Sequence, residues 1–257
     1  MKDQKKLSIP KIKERLKEKD VSPLFLHELK KDSRKSVQVL LKSYERKCEL
    51  IRIKKLEYEQ KSTFEAKFWS QNKIVAGVDE VGRGCLAGPV VCGAVVLDSR
   101  HPILGIDDSK KLSVRERERL SEEIKKYAIC YSVAIISPKK IDQINILEAS
   151  RLGMLQAVNK LKITPQELLI DAIHINSSIP QTDIVKGDAR SVSIGAASII
   201  AKVYRDALMT KYDSFYPEYN FKKNKGYGTK DHLSALEKYG ITPIHRQSFS
   251  PVQKFNA

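Results

Sequence analysis

A change of texture at Lys73 limits the fold more than any other feature of this 257-residue chain. Residues 1–70 contain no glycine, and their apolar residues recur at helical spacing between clusters of Lys, Arg and Glu, which describes a helical extension. Ser22 followed by Pro23 is a helix-start signal. Ser33 is a candidate cap for a longer helix in which Val37, Tyr44, Ile51 and Tyr58 fall seven apart, with Leu41 and Cys48 beside them. That stripe needs a surface to pack on, and the Lys/Arg face of the same helix is also suited to tracking phosphates.

From Lys73 the runs KIVAGVDE, PVVCGAVVLD and AICYSVAII are short and rich in β-branched residues. They read as strands, the second returning as an antiparallel neighbour of the first. NILEASRLGMLQAVNKL is a helix with Ile146, Ala149, Leu152, Leu155 and Val158 on one face, and ELLIDA and TDIVKGD follow as two more strands. Strand, helix, strand implies a parallel crossover. SVSIGAASIIAKVYRDALMTKY is a further helix, whose small residues from Gly195 to Ser198 let backbone or ligand approach closely. The expected core is an α/β layer structure with a mixed sheet of about five strands flanked by helices. The tail carries one helix starting near Thr229 or Lys230. The organisation expected is a basic helical extension over 1–70, a catalytic core over 71–215, and a C-terminal helical segment over 216–257 that packs on the core and contributes to substrate binding.

Composition adds the partner. The net charge of +16 is self-repelling, and a polyanion such as nucleic acid is the usual reason to carry it. The excess is spread along the chain, with 20 Lys and Arg against 11 Asp and Glu in residues 1–70. No run approaches the roughly 18 apolar residues of a membrane span, and the N-terminus MKDQKKLSIPKIKERLKEKD has no apolar leader pattern, so the expected location is the cytoplasm. Cys48, Cys85, Cys92 and Cys130 show neither a CxxC pair nor zinc spacing and read as small buried or half-buried thiols.

Three strand ends stop on carboxylates: Asp79 and Glu80, then Asp171 in LLIDA, then Asp188 in IVKGD. In open α/β sheets such ends lie side by side, and ligand sites gather there. Carboxylates brought together repel, so a stable cluster needs either shared protons or a bound cation. All-oxygen ligation suits Mg²⁺ or Mn²⁺, and two such ions ~4 Å apart activate a water and stabilise the departing oxygen of a phosphodiester. Singly, each acid has a plainer reading as a turn former or an ion-pair partner. Side chains alternate along a strand, so Asp79 and Glu80 share a site only if the strand bends or ends between them; Gly82 and Gly84 supply the bend. Arg83 between them can reach a phosphate or a hydroxyl.

The blocks AGVDEVGRG, DSKKLS, NILEAS, LLIDA, VKGDARSVSIGAASIIAKVYRD, NKGYGTKDHL and HRQSFSPV, in this order, resemble bacterial ribonuclease HII, the type 2 ribonuclease H family, over about residues 73–254. The basic extension resembles that of Gram-positive members. The resemblance implies a ribonuclease H-like fold and makes Asp79, Glu80, Asp171 and Asp188 the catalytic metal ligands, holding two Mg²⁺ or Mn²⁺ ions in the active complex. It implies cleavage on the 5′ side of a ribonucleotide, leaving 3′-hydroxyl and 5′-phosphate ends. The implied substrates are RNA–DNA hybrids and duplex DNA with embedded ribonucleotides, handled by a monomer away from membranes in ribonucleotide excision repair and DNA replication. The 2′-hydroxyl would be read through Gly82, Arg83 and Gly84 together with Tyr227, in keeping with that hydroxyl being what separates RNA from DNA. With the match, Ser109, Lys110 and Lys111 read as a phosphate clamp instead of a solvated turn. Two departures stand out: Cys85 where many members have Pro, and Ala172 where many have Gly.

Two other readings stand beside this one. One is a non-catalytic duplex-binding module whose acids are structural ion pairs; the other is ribonuclease HIII, in which the fourth acid is typically Glu and the appendage is β-rich, and against which Asp188 and the glycine-free helical extension argue. Among secondary candidates, Asp206 reads as an ion-pair partner on the helix carrying Lys202 and Arg205. Arg246, Ser248 and Phe249 are candidates to touch duplex backbone, with a packed tail an equally good reading of Phe249. His174, His232 and His245 read as lone surface or core histidines.

Overall fold

The computed structural model describes residues 7–18 and 20–255. The leader-free reading of the N-terminus falls partly on residues 1–6 and 19, outside that range. The chain divides into two compact units, residues 1–57 and 58–257.

In the first unit, α1 (Ile9–Arg15), α2 (Pro23–Lys31) and the first part of α3 (Lys35–Lys61) gather Ile12, Leu16, Phe25, Leu29, Val37 and Leu41 into a small core, with Tyr44 packed against it. Pro23 opens α2 as expected. The turn before α3 is tied by Asp32, not by Ser33: its carboxylate accepts from the Arg34 N–H at 3.0 Å and from the same residue's guanidinium. The seven-residue stripe is interrupted rather than continuous: Val37 and Tyr44 pack in this core and Tyr58 is buried in the second unit, while Ile51 and the neighbouring Cys48 are exposed. The exposed Cys48 departs from the expectation of buried thiols; Cys85, Cys92 and Cys130 meet it.

In the second unit, α4 (Thr63–Trp69) leads into a five-stranded sheet. Its strands are β1 (Val75–Val81), β2 (Val90–Val96), β3 (Cys130–Ile136), β4 (Glu167–Asp171) and β5 (Gln181–Ile184), in the order β3-β2-β1-β4-β5. β1 and β2 are antiparallel, as are β2 and β3; β1, β4 and β5 run parallel, so the crossover is as the sequence implies. After β2 comes α5 (Val114–Tyr127), capped by Ser113 on the Glu116 N–H. It is followed by α6 (Pro138–Asn159), α7 (Gly187–Arg190), α8 (Val192–Asp213), α9 (Phe221–Asn224), α10 (Lys230–Tyr239) and α11 (Ser250–Gln253). Among the described residues no helix is long and apolar enough to cross a membrane.

One face of the sheet packs on α6, the other on α8 and α5. The α8 contact is unusually close because glycines meet the small residues of the helix. A Cβ on Gly77 would stand 2.0 Å from the Ser193 carbonyl carbon, and one on Gly93 would stand 2.5 Å from the Ala197 oxygen. The small stretch of α8 thus serves helix-on-strand packing.

Two local readings need correction. The helix expected from Asn145 begins seven residues earlier at Pro138 and kinks at Asn145, whose φ of 64° interrupts it. Its buried face is Ala149, Ser150, Gly153, Met154, Ala157 and Val158, rotated from the stripe read in the sequence; Ile146, Leu152 and Leu155 are only half-buried. And β5 ends at Ile184, so Asp188 lies on the single turn α7, not on a strand end. A left-handed Lys186 (φ 56°) makes the turn between them.

The C-terminal residues close a third cluster. Tyr219, Phe221, Ala235, Leu236, Ile244 and Val252 pack with Leu86, Ala87 and Met209, so the tail is built onto the loop that follows β1.

Candidate active site

Parallel pairing sets β1 beside β4 with Val78 opposite Ile170, so Asp79 and Asp171, the next residues, come together at adjacent strand ends. Asp171 Oδ1 accepts the Gly187 N–H at 2.7 Å, which draws α7 and its Asp188 onto the end of β4. Asp79 and Glu80 occupy opposite faces of the last turn of strand, Asp79 toward Ser198 on α8 and Glu80 toward Cys92. Both carboxylates still feel the charge of Asp171, because the strand ends one residue later. The Glu80 N–H donates to Asp79 Oδ1 at 2.7 Å.

These groups are costly to ionise together. Burial drives the Asp79 carboxyl well above its ordinary range, and the charges of Glu80 and Asp171 push it further while Ser198 opposes them. Burial pushes Glu80 up to about 7, against the pull of Arg83 and with the push of Asp171. Asp171 is raised by burial and by Asp188, less the effect of the Gly187 N–H. Two cations answer this charge: Lys110 Nζ lies 3.2 Å from Asp188 Oδ2, and Arg83 Nη1 lies 3.4 Å from Glu80 Oε1. Glu80 Oε2 is buried without a hydrogen-bond partner. Such an orphaned oxygen is a donor in need of an acid.

Among the described residues no three His, Cys, Asp or Glu side chains already stand at metal-binding spacing. The donor set nevertheless fits a hard divalent cation: four carboxylates, all oxygen, mutually repelling, with one oxygen unpartnered. The nearby Cys92 is no competing ligand, being a buried thiol held in its neutral form by burial first and then by the charges of Glu80 and Asp79.

Beside the acids runs the loop from Gly82 to Pro89. Gly82 has φ 97°, and a Cβ there would strike Arg205 Nε at 2.1 Å. Gly84 faces open space, with nothing within 4 Å of where a Cβ would be. Two guanidiniums that are fully buried hold the loop by its carbonyls. Arg246 donates to Gly82 O at 2.6 Å, Arg83 O at 2.7 Å and Gly88 O at 2.9 Å. Arg205 donates to Pro89 O at 2.9 Å, Ala87 O at 3.1 Å and Lys225 O at 2.8 Å. The Leu86 N–H donates to Gly226 O at 2.8 Å, which stitches the KGYG turn to the same loop. Tyr227 is thereby brought to Cys85. Its phenol is 42% exposed as a residue and raised by burial first and by Cys85 second, and it feels the Lys110 charge.

Behind Tyr227, His232 and His245 meet at 2.9 Å between their Nε2 atoms. The Thr242 N–H donates to His245 Nδ1, so His245 carries its proton on Nε2 and gives it to His232, whose Nδ1–H in turn reaches the Tyr227 carbonyl. Both rings are neutral in this chain of bonds. Burial lowers both, His245 to about 4.

The sequence candidates therefore separate. Asp79, Glu80, Asp171, Asp188, Arg83 and Lys110 come together, with Gly82, Gly84 and Tyr227 on the adjoining loops. Ser109 is buried and its hydroxyl pairs with Ser198 at 3.0 Å, so it supports α8 instead of facing outward. Lys111 turns to Asp107. Lys202 pairs with Asp206 at 2.7 Å, as expected. Arg246 is a correction, being wholly inside, and Ser248 binds Asp142. His232 and His245 are a pair, not lone residues; exposed His174 is 3.1 Å from Asp183. Arg205 and Arg246 were missed as loop anchors, and the available signal was an arginine amid the small apolar run of α8 and another beside the aromatic tail.

Comparison with known proteins adds a lineage. A family model described as Ribonuclease HII matches residues 76–252, and one described as Ribonuclease HII N-terminal domain matches residues 8–69. A ribonuclease HII of Lactobacillus delbrueckii subsp. bulgaricus is 50% identical over 248 residues, covering 96% of this chain and 97% of that protein. One of Ligilactobacillus salivarius is 50% identical over 250 residues, covering 97% and 98%. Among solved structures, the ribonuclease H2 of Pyrococcus horikoshii OT3 superposes with a TM-score of 0.61 at 30% identity, over 70% of this chain and 96% of that one.

Proposed function

Because the chain belongs to the ribonuclease HII family, and is thus a metal-dependent endoribonuclease of the type 2 ribonuclease H class, we propose that it hydrolyses the RNA strand of RNA–DNA hybrids and nicks duplex DNA on the 5′ side of embedded ribonucleotides. The products are a 3′-hydroxyl and a 5′-phosphate. The observation that supports this reading most is the meeting of four carboxylates from three chain segments beside an open Gly84.

Asp79, Glu80, Asp171 and Asp188 are the residues that would hold two divalent ions, Mg²⁺ or Mn²⁺. When bound, these supply an activated water and charge stabilisation for the departing oxygen. The protein's own residues do the rest. Asp171, fixed by the Gly187 N–H, and Asp188, fixed on α7, give the cluster its rigid side. Lys110 balances Asp188 and is free to turn its ammonium toward a phosphate oxygen once that charge is otherwise met. Gly82, Arg83 and Gly84 read the 2′-hydroxyl: Gly84 leaves room for the sugar, and Arg83, 43% exposed on its side chain, offers donors. Tyr227 stacks on the sugar or base next to it and hydrogen-bonds the same hydroxyl. Ser109 and Lys111 act behind or beside this set.

The assignment extends to the whole chain: a basic extension over 1–70, the catalytic core over 71–215 and a substrate-binding C-terminal segment over 216–257, working as a cytoplasmic monomer in ribonucleotide removal and DNA replication. The test is Asp79→Asn on duplex DNA carrying one ribonucleotide. Cleavage should vanish with binding still measurable; a variant that keeps cutting contradicts the reading.

A further inference from the structure

Residues 58–69 sit at the C-terminal end of the helical extension, yet they reach three places around the acid cluster. Glu65 on α4 is wholly buried, and its Oε1 accepts from Ser191 Oγ at 2.5 Å and from the Ser193 N–H at 2.9 Å. Ser191 is the cap of α8, with its hydroxyl on the Ile194 N–H, and its own N–H closes α7 on Gly187 O at 2.8 Å. Glu65 therefore grips the elbow between α7 and α8, three residues beyond Asp188. One residue earlier, the Phe64 ring lies 5.4 Å from the Arg190 guanidinium, on the turn that carries Asp188. On the other flank, Lys61 Nζ binds Asp107 Oδ1 at 2.6 Å and lies 3.4 Å from Ile106 O, fixing the start of the loop from which Lys110 extends to Asp188. Phe68 anchors the same short helix over Val75, Leu169, Ile184 and Ile194.

We infer that Glu65, assisted by Lys61 and Phe64, is a positioning residue for the active site: it sets the α7–α8 elbow and so the placement of Asp188 against Asp171. Glu65 touches none of the four acids, and its Oε2 is buried without a hydrogen-bond partner. A buried carboxylate with one oxygen unpaired is expensive for packing alone. The two bonds made by the other oxygen both fall on the elbow. The inference rests on the proposed ligand set, and it gives the end of the extension a task in catalysis.

The test uses the full chain with Glu65→Leu, which removes the acceptor, and Glu65→Gln, which keeps a carbonyl oxygen for both donors. Val158→Ala, at the far end of α6, serves as a control that lowers stability only. The first readout needs no nucleic acid: the Mn²⁺ concentration at half-maximal thermal stabilisation. The second is kcat and KM on duplex DNA with one ribonucleotide. Glu65→Leu should raise the Mn²⁺ midpoint about tenfold, the low end of what losing a ligand-orienting partner costs, and lower kcat about as much with KM little changed. Glu65→Gln should stay within about threefold of the parent in both, as a preserved acceptor requires. Ser191→Ala removes one of the same two bonds and should shift the midpoint in the same direction if Glu65→Leu does not fold. The inference is overturned if Glu65→Leu melts early but keeps its midpoint and kcat, as Val158→Ala should, or if Glu65→Gln is as impaired as Glu65→Leu. A parent protein that binds Mn²⁺ but cuts nothing would count against the proposed function, while the midpoint comparison would still decide the role of Glu65.

Discussion

Replacing Glu80 by Gln should make the ion-free protein more stable at neutral and alkaline pH while removing its activity. Burial and the neighbouring Asp171 raise the Glu80 carboxyl from 4.5 to about 7 despite Arg83. A carboxyl raised on folding is held protonated by the fold, so its contribution is fully present below about pH 4.5 and is lost as pH rises through about 7. The rise from 4.5 to about 7, at about 1.4 kcal/mol for each tenfold change in proton affinity, caps the loss at about 3.5 kcal/mol. Gln cannot ionise and so escapes that loss. Urea unfolding in chelator at pH 5 and pH 8 measures it: the parent should lose stability between the two and Glu80→Gln should lose less. Adding Mg²⁺ or Mn²⁺ at pH 8 should restore the parent, by about 2.7 kcal/mol at a hundredfold excess over Kd, and do far less for the variant. A Gln variant that is no more stable than the parent at pH 8 would refute the claim that these acids are held together against their own repulsion.

Ala172→Gly should stabilise the protein by about 1 kcal/mol in the same unfolding assay, because Ala172 is exposed at φ 54°, where a side chain is penalised and glycine is not. Arg246→Met would leave the Arg83 and Gly88 carbonyls without their guanidinium inside the protein and Gly82 O with only the Cys85 N–H at 3.5 Å. It should cost about 3 kcal/mol and reduce the preference for a ribonucleotide-containing duplex over all-DNA duplex in competition binding. Acid should loosen the tail through the histidine pair. His245 falls from 6.5 to about 4 on folding, so stability is complete above about 6.5 and declines toward 4 as the unfolded chain takes up protons, by at most about 3 kcal/mol. Protonating either ring sets two N–H groups against each other, and hydrogen exchange at Tyr227 and Thr242 followed from pH 7 to 4.5 should show the opening before the α6 amides exchange.

The sequence exposes those parts of the site that depend on local pattern. Asp79, Glu80 and Asp171 follow short apolar runs, so their place near strand ends is visible from the pattern alone, and the glycines after Glu80 announce the bend. For Asp188 the pattern points to the right end of the sheet through the wrong element. The run TDIVKGD looks like one strand, but the left-handed turn at Lys186 divides it into the end of β5 and a helical turn, and nothing in a lysine signals that conformation. Burial of charge was the least legible feature. Arg205, Arg246 and Glu65 are charged residues in ordinary surroundings along the chain; their partners are carbonyls and serines more than a hundred residues away, apart from Lys225. The face of α6 is hard to read for a related reason. Gly153 faces Cys92 so closely that a Cβ would stand 2.6 Å from the sulfur, so small residues define that contact while half-buried leucines suggest another.

The most direct test of the central claim is the product map of the parent protein on duplex DNA with a single embedded ribonucleotide, in Mg²⁺ and in Mn²⁺, resolved to the nucleotide. Four acids beside a loop proposed to read one 2′-hydroxyl predict a single nick on the 5′ side of that ribonucleotide, with a 3′-hydroxyl and a 5′-phosphate. Incision only within runs of four or more ribonucleotides, or none with either ion, would contradict the account.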